Sequence, residues 1–376
     1  RKKYREGEEL DPGFCCDLPE LNYDFQAAIS QYVRLKETGL ELKLWNYFAS
    51  EFPVVDMITE YPADNAAEES DLKSLRYSVR GKDGTGYLFL NNYVRHYDLP
   101  DRVLNDFTIE ADGKKIVFPH IELKNKEYAA YPFNMRMGEA VLKYATATPL
   151  CVLNGKDYVF WTKSGAAEYD VEGEPEGRII TLTKADALHA FKFTAEGTQR
   201  LFIADGELYE TAAGLRYAFF GEPKIKVYPP LENPPEGFTE EAEENGFAVY
   251  AKRLEPLSVE AKIVSEKATD EYTDYTVGID YRLGTSENVF LYVDYEGDRL
   301  DLLIDGEKVN DHFYTGAEFE IGLRHYDYPD EVCLRVYPLD EKTDVYVEKT
   351  PTYRGGKALA LRGVKAGRQY AVTLRL

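Results

Sequence analysis

Between residues 275 and 283, Tyr275, Val277, Ile279, Tyr281 and Leu283 alternate with Thr276, Gly278, Asp280 and Arg282. A two-residue period puts every apolar side chain on one face of an extended strand, whereas a helix would scatter them around its axis. The same period returns at Leu300, Leu302 and Ile304, and again at Tyr370, Val372, Leu374 and Leu376. Turn signals at Asp83-Gly84, Asp112-Gly113, Asn154-Gly155, Asp205-Gly206 and Asp305-Gly306 predict hairpins. Short strands at this spacing, with no helices between them, predict a mainly β fold of tandem sandwiches or jelly rolls.

Helical signals are confined to two places. Residues 22–48 carry the only long helical pattern, with Ile29, Val33, Leu40, Leu44 and Tyr47 near one face and Tyr32 and Phe48 beside it. Gly39 falls inside this pattern and should weaken the helix by ~1 kcal/mol relative to alanine. Leu35, Leu42 and Trp45 spread apolar surface beyond the main stripe. Such a helix demands a covering partner, and without one it invites self-association. A second, short helix is expected over residues 183–191, with Thr183 as N-cap and Asp186 three residues on.

A chain of 376 residues is long for a single core, so two or three domains are expected. Pro53, Pro62 and the polar residues 64–71 read as a linker. Between residues 228 and 246 the composition shifts to Pro229, Pro230, Pro234 and Pro235, then Glu240, Glu241, Glu243 and Glu244. A domain boundary is expected there. Arg1 stands where a complete chain starts with methionine, and the first residues contain no apolar core of a signal peptide.

The net charge of −22 opposes binding to nucleic acid and to anionic membrane surfaces, and it suits a neutral substrate such as a sugar. No apolar run is long enough for a membrane helix. Four cysteines form no disulfide framework or Cys-x-x-Cys pair, which points to a reducing, cytoplasmic compartment.

Chemistry is harder to place. The chain has no Gly-x-Ser-x-Gly elbow, no His-Glu-x-x-His, no phosphate loop and no dinucleotide fingerprint. His96, His120, His189, His312 and His325 stand singly, with no metal-ligand spacing. Asp294, Asp298, Asp301 and Asp305 gather near turns, as the ligands of a structural calcium do, but without the spacing of a known calcium loop, so no metal ligand and no cofactor are expected. Two aromatic clusters follow strands: His312-Phe313-Tyr314 before Gly316, and His325-Tyr326 before Pro329. Either cluster presents a ring and hydrogen-bonding groups to a sugar, or its rings plug the end of a sandwich.

Three stretches together resemble the post-barrel region of family 35 glycoside hydrolases, the retaining exo-β-galactosidases. Residues 83–150 are similar in wording and order to the family's first β-domain. Residues 179–192 resemble the small middle β-domain of bacterial members, and residues 290–323 the C-terminal galactose-binding-like jelly roll. Residues 19–42 resemble the last strand and helix of the catalytic barrel. The resemblance implies a barrel end and linker at 1–58, β-domains at 59–162 and 163–236, and a jelly roll at 237–376. It implies an intact enzyme that hydrolyses terminal β-galactosides, its substrate reached through a barrel outside this chain; the alternative is a free-standing carbohydrate-binding, lectin-like or purely structural β-sandwich protein. Tyr23 and Phe25 match positions near the galactose pocket; Phe25 keeps a ring for stacking but has no hydroxyl to donate. Both catalytic glutamate motifs are missing from this sequence, so no catalytic residue is assigned and the chain alone is expected to be inactive. The candidate sugar-contacting residues are therefore Tyr23, Phe25, His312, Phe313, Tyr314, His325 and Tyr326.

Overall fold

A computed structural model describes residues 27–57, 59–61, 71–95, 97–163, 165–255, 257–281, 286–343, 345, 347 and 349–376. The fold is mainly β, a series of sandwiched sheets preceded by one helix, as the alternation predicts. A six-stranded antiparallel sheet runs in the order Thr59–Tyr61, Arg76–Lys82, Thr85–Asn91, Tyr128–Met137, Ala140–Ala145, Tyr169–Glu172. A long hairpin, Arg102–Ala111 with Lys114–Leu123, lays Ile109, Phe118 and Ile121 against it over Leu88, Leu90 and Phe133. Beside it lies a three-stranded sheet in which Asp157–Thr162 pairs antiparallel with Thr148–Leu153 and parallel with Ile179–Thr183.

The C-terminal half is built around one sheet in the order Glu207–Thr211, Gly214–Phe220, Ala360–Leu374, Ser286–Glu296, Phe319–Gly322. It contributes to two cores. Leu215, Tyr217, Phe219 and Tyr370 pack on Phe202, Val227 and Tyr250 of a neighbouring five-stranded sheet. Val289, Leu291 and Val293 pack on Val277, Leu302 and Leu334 of another, closing a jelly-roll-like sandwich. In strand Thr273–Tyr281 the residues Tyr275, Val277 and Ile279 are buried in alternation with half-buried neighbours, as their period requires.

Turn chemistry is met at four of five sites. Asp83-Gly84, Asp112-Gly113, Asn154-Gly155 and Asp305-Gly306 each place two successive residues at positive φ, the backbone of a tight hairpin. Asp205-Gly206 departs from expectation. The strands on either side of it, Thr198–Ala204 and Glu207–Thr211, belong to different sheets, and Gly206 lets the chain cross between them. A Cβ at Gly206 would stand 2.2 Å from the Ala218 carbonyl oxygen, so only glycine fits the crossing.

Two further expectations are corrected. The Pro- and Glu-rich stretch joins strands of one sheet: Lys224–Tyr228 and Thr239–Glu244 both pair with Phe247–Ala251. The proline-rich residues make a loop, and the acidic residues form an edge strand whose side chains face solvent. The long helix starts later than its apolar spacing suggests, at Glu37, and ends at Glu51. Ile29 and Val33, expected on its buried face, are exposed at 56% and 80%. They belong to a tight loop closed by an Ile29–Leu35 bridge and by Ser30 N–H donating to the Arg34 carbonyl at 2.8 Å. The helix is also well covered by its own chain. Leu44 is 1% exposed among Leu150, Leu153 and Leu201, and Phe48 2% exposed beside Tyr87 and Phe160. The surface available for self-association shrinks accordingly to side chains such as Leu42. Residues 62–70, which hold most of the expected linker, lie outside the described residues.

The short helix forms over Lys184–Leu188, with Asp186 N–H donating to the Thr183 hydroxyl oxygen at 3.0 Å and Phe191 already in the next strand. No helix among the described residues is long and apolar enough to cross a membrane. Cys151 and Cys333 are free, and burial pushes the Cys151 thiol up to about 12.

Candidate functional site

The first aromatic cluster lies at the end of a strand, with Tyr314 just beyond it. His312 and Phe313 end the strand Glu307–Phe313, and Phe313 and Tyr314 are buried. The His312 ring stacks on Phe319, with centroids 4.7 Å apart and planes 17° from parallel. The Tyr295 hydroxyl donates to the His312 carbonyl at 2.8 Å and lies 3.0 Å from its Nδ1. Burial lowers the His312 pKa to about 4. These rings fill the end of the sandwich and leave no platform for a ligand. Tyr23 and Phe25 lie outside the described residues, as do Cys15, Cys16 and His96.

The second cluster sits on a 3-10 turn, Leu323–Tyr326, and the loop at residues 29–35 comes down beside it. His325 is exposed, while Tyr326 turns inward. The Tyr326 hydroxyl lies 3.2 Å from that of Tyr32, and Asn310 Nδ2 donates to both at 3.1 and 3.2 Å. The Tyr32 ring meets Phe290 edge-on at 6.0 Å and leaves no room for a side chain at Gly322. Two residues on, Arg34 Nε donates to Glu207 at 3.2 Å, and its Nη1 donates to Glu320 at 2.5 Å and to Tyr292 at 3.1 Å. The guanidinium lies 4.7 Å from the Phe220 ring centre and 5.2 Å from that of Phe290. A planar cation with a fork of donors suits this mixture of carboxylates and ring faces; lysine does not.

Residues 27–57 therefore act as a strap. The loop grips the outer face of the C-terminal sheet through Tyr32 and Arg34. The helix grips the other β units: Phe48 enters the first, Lys43 Nζ donates to the Ala190 carbonyl at 2.5 Å, and Lys192 Nζ pairs with Glu51 at 2.7 Å. The Tyr47 hydroxyl accepts from Lys192 N–H at 2.8 Å.

Under the strap loop lies a recess of about 550 Å³. Its floor is Glu207, Asn288 and Gln369, its walls include Tyr32 and Tyr209, and Arg324 and His325 stand at its rim. Burial raises the Glu207 pKa against the opposing pull of Arg34. Glu287, also at the rim, is paired with Arg216 and Arg324. Of the expected candidates among the described residues, only His325 faces this recess. Sequence reasoning missed Asn288, Gln369 and Glu207, because their proximity is created by strand register rather than by spacing.

A second cavity, of about 370 Å³, opens between the long hairpin and the three-stranded sheet, with Tyr128, Tyr131 and Trp161 among its lining. Its rim charges are largely paired, Lys184 with Glu41 at 2.8 Å and Lys163 with Glu127 at 3.3 Å. Among the described residues no three His, Cys, Asp or Glu side chains converge to hold a metal ion. Asp301, one of the four aspartates near turns, is paired with Arg299 at 3.0 Å and with Lys308 at 3.5 Å. No protein-family model matches the chain, and no curated protein matches it.

Proposed function

We propose that this chain is the non-catalytic β-region of a family 35-like exo-β-galactosidase, bracing the catalytic barrel and shaping the mouth of its pocket. The observation that carries the reading is the path of residues 27–57. One short segment is bonded in turn to the C-terminal sheet by Arg34, to the middle strands by Lys43 and Tyr47, and to the first β-unit by Phe48. An architectural region needs its β-units fixed relative to one another, and this strap does that.

The state of the carboxylates supports the same reading. Retaining hydrolysis requires two carboxyl groups about 5–5.5 Å apart, one to attack and one to shuttle a proton. Glu207 and Glu287, the glutamates of the recess, are both committed to arginines. The rings of Phe313 and Tyr314 are spent on the core, which favours a brace over a lectin-like module.

The coding sequence upstream of the Arg1 codon tests the proposal. A (β/α)8 barrel carrying the family's two glutamate motifs is expected; an unrelated domain there overturns it. Purified chain incubated with a chromogenic β-galactoside should give no turnover, and activity that survives repurification contradicts the assignment.

A further inference from the structure

The recess under the strap loop is built for more than bracing. Asn288 and Gln369 stand directly opposite one another on the paired strands Ser286–Glu296 and Ala360–Leu374. Facing residues of an antiparallel pair hold their side chains about 4.5–5.5 Å apart at Cβ. The Asn288 side-chain oxygen accepts from the backbone N–H of Val289 at 2.8 Å and of Arg324 at 3.0 Å. This fixes the carboxamide with its NH2 group turned away from those donors, and the NH2 group has no partner among the described residues. Gln369 is fixed the other way round. Its Nε2 donates to Glu207 at 3.1 Å, and its side-chain oxygen has no partner among the described residues. Neither atom is sealed off from the recess. Asn288 and Gln369 are nevertheless 8% and 6% exposed, so their open valences point into a confined space.

A free donor beside a free acceptor is the complement of a hydroxyl group, which accepts and donates at one oxygen. Glu207 adds carboxylate lone pairs next to them, because Arg34 and Gln369 occupy one direction on each oxygen. Tyr209 leaves the same strand two residues after Glu207 and so shares its face, and it is 44% exposed. Its ring gives an apolar surface beside the polar floor. The charges lining the recess cancel locally, Glu207 with Arg34 and Glu287 with Arg216 and Arg324. The whole chain, at −22, repels an anionic ligand. A volume of about 550 Å³ lies within the ordinary range for small-ligand sites.

We propose that this recess binds a neutral pyranose, with ring hydroxyls bonded to Asn288, Gln369 and Glu207 and a C–H face against Tyr209. The site differs from the plugged His312-Phe313-Tyr314 cluster, and it does not depend on a barrel preceding the chain. Its failure would leave the bracing proposal standing, and the reverse also holds.

Calorimetric titration of the intact chain with galactose, glucose, N-acetylglucosamine and lactose, with sorbitol as an acyclic polyol, tests the site. At least one pyranose should bind with an affinity of about millimolar or better, and sorbitol should not. Asn288→Asp keeps an acceptor for Val289 and Arg324 but replaces the donor NH2 by a second oxygen that carries charge, and Tyr209→Ala removes the exposed ring. Each should weaken binding at least tenfold while the chain keeps a cooperative unfolding transition, with Tyr209→Ala leaving that transition in place, and Tyr97→Ala, an exposed tyrosine elsewhere, should have no effect. Saturation-transfer NMR should place the strongest transfer on the protons of one sugar face. Absence of saturable binding across the panel overturns the proposal. So does binding that sorbitol matches, or binding that survives both Asn288→Asp and Tyr209→Ala.

Discussion

Replacing Gly39 by alanine sets two effects of opposite sign against each other. In a free helix the change stabilises by ~1 kcal/mol, since glycine has the greater backbone freedom to lose. Here Gly39 lies under the strap loop. An added Cβ would stand 2.3 Å from the Ala28 carbonyl oxygen, 3.1 Å from its carbon and 3.3 Å from Leu35 Cδ2. Carbon contacts become attractive only near 3.5 Å, so the loop backbone must move. That backbone is pinned, because the same Ala28 carbonyl accepts from Lys36 N–H at 3.0 Å. A 2.3 Å contact with backbone belongs in the upper part of the usual overpacking cost, about 2–3 kcal/mol, and outweighs the propensity gain. Gly39→Ala should therefore lower the free energy of urea unfolding by about 1–2 kcal/mol, and Leu42→Ala, at an exposed position of the same helix, should stay within about 0.5 kcal/mol. Equal m-values would tie the change to the folded state. A Gly39→Ala variant more stable than the parent would refute the close approach of loop and helix.

Other substitutions probe the strap at separate points. Val33 is a β-branched residue held at a φ of 62° with its side chain 80% exposed, so Val33→Gly should stabilise by about 1 kcal/mol in thermal unfolding; a loss would mean that the side chain is used. Arg34→Ala leaves the buried Glu207 without its cation and should cost about 2–4 kcal/mol, with new protease cleavage inside residues 27–36; an unchanged digestion pattern argues against the clasp. Burial pulls the Lys43 pKa down to about 7 from its ordinary value. Between about 7 and 10 the unfolded chain then binds more protons than the folded one, so the penalty is full below pH 7 and fades as pH rises. Lys43→Met removes this penalty together with the bond to the Ala190 carbonyl, so the slope is the test: the rise of stability between about pH 7 and 9 should flatten, and a parallel pH profile contradicts this.

What the sequence revealed and what it concealed follow from the range of the interactions involved. Hairpins at Asp83-Gly84 or Asn154-Gly155 are local, because the backbone dihedrals that the turn needs are met by the two turn residues themselves. Asp205-Gly206 shows the limit. A turn signal reports a change of direction, not which sheet receives the next strand. Apolar spacing places the helix start too early because Ile29 and Val33 continue a period that the Ser30–Arg34 turn breaks, and no residue in that stretch advertises the turn. Phe313 and Tyr314, ahead of Gly316, have the local sequence of exposed loop residues, but both side chains are buried, which periodicity cannot show. The recess was invisible for a stronger reason. Glu207, Asn288 and Gln369 are distant in sequence and meet only through the register of their strands.

Hydrogen exchange of the intact chain, followed by mass spectrometry, tests the bracing role of residues 27–57 most directly. If Leu44 and Phe48 tie the β-units together, the amides of helix Glu37–Glu51 should exchange as slowly as those of strand Thr148–Leu153, against which the helix packs. Exchange of the helix well before that strand, in a chain whose sheets remain protected, would mean that the segment is a loose appendage and not a strap.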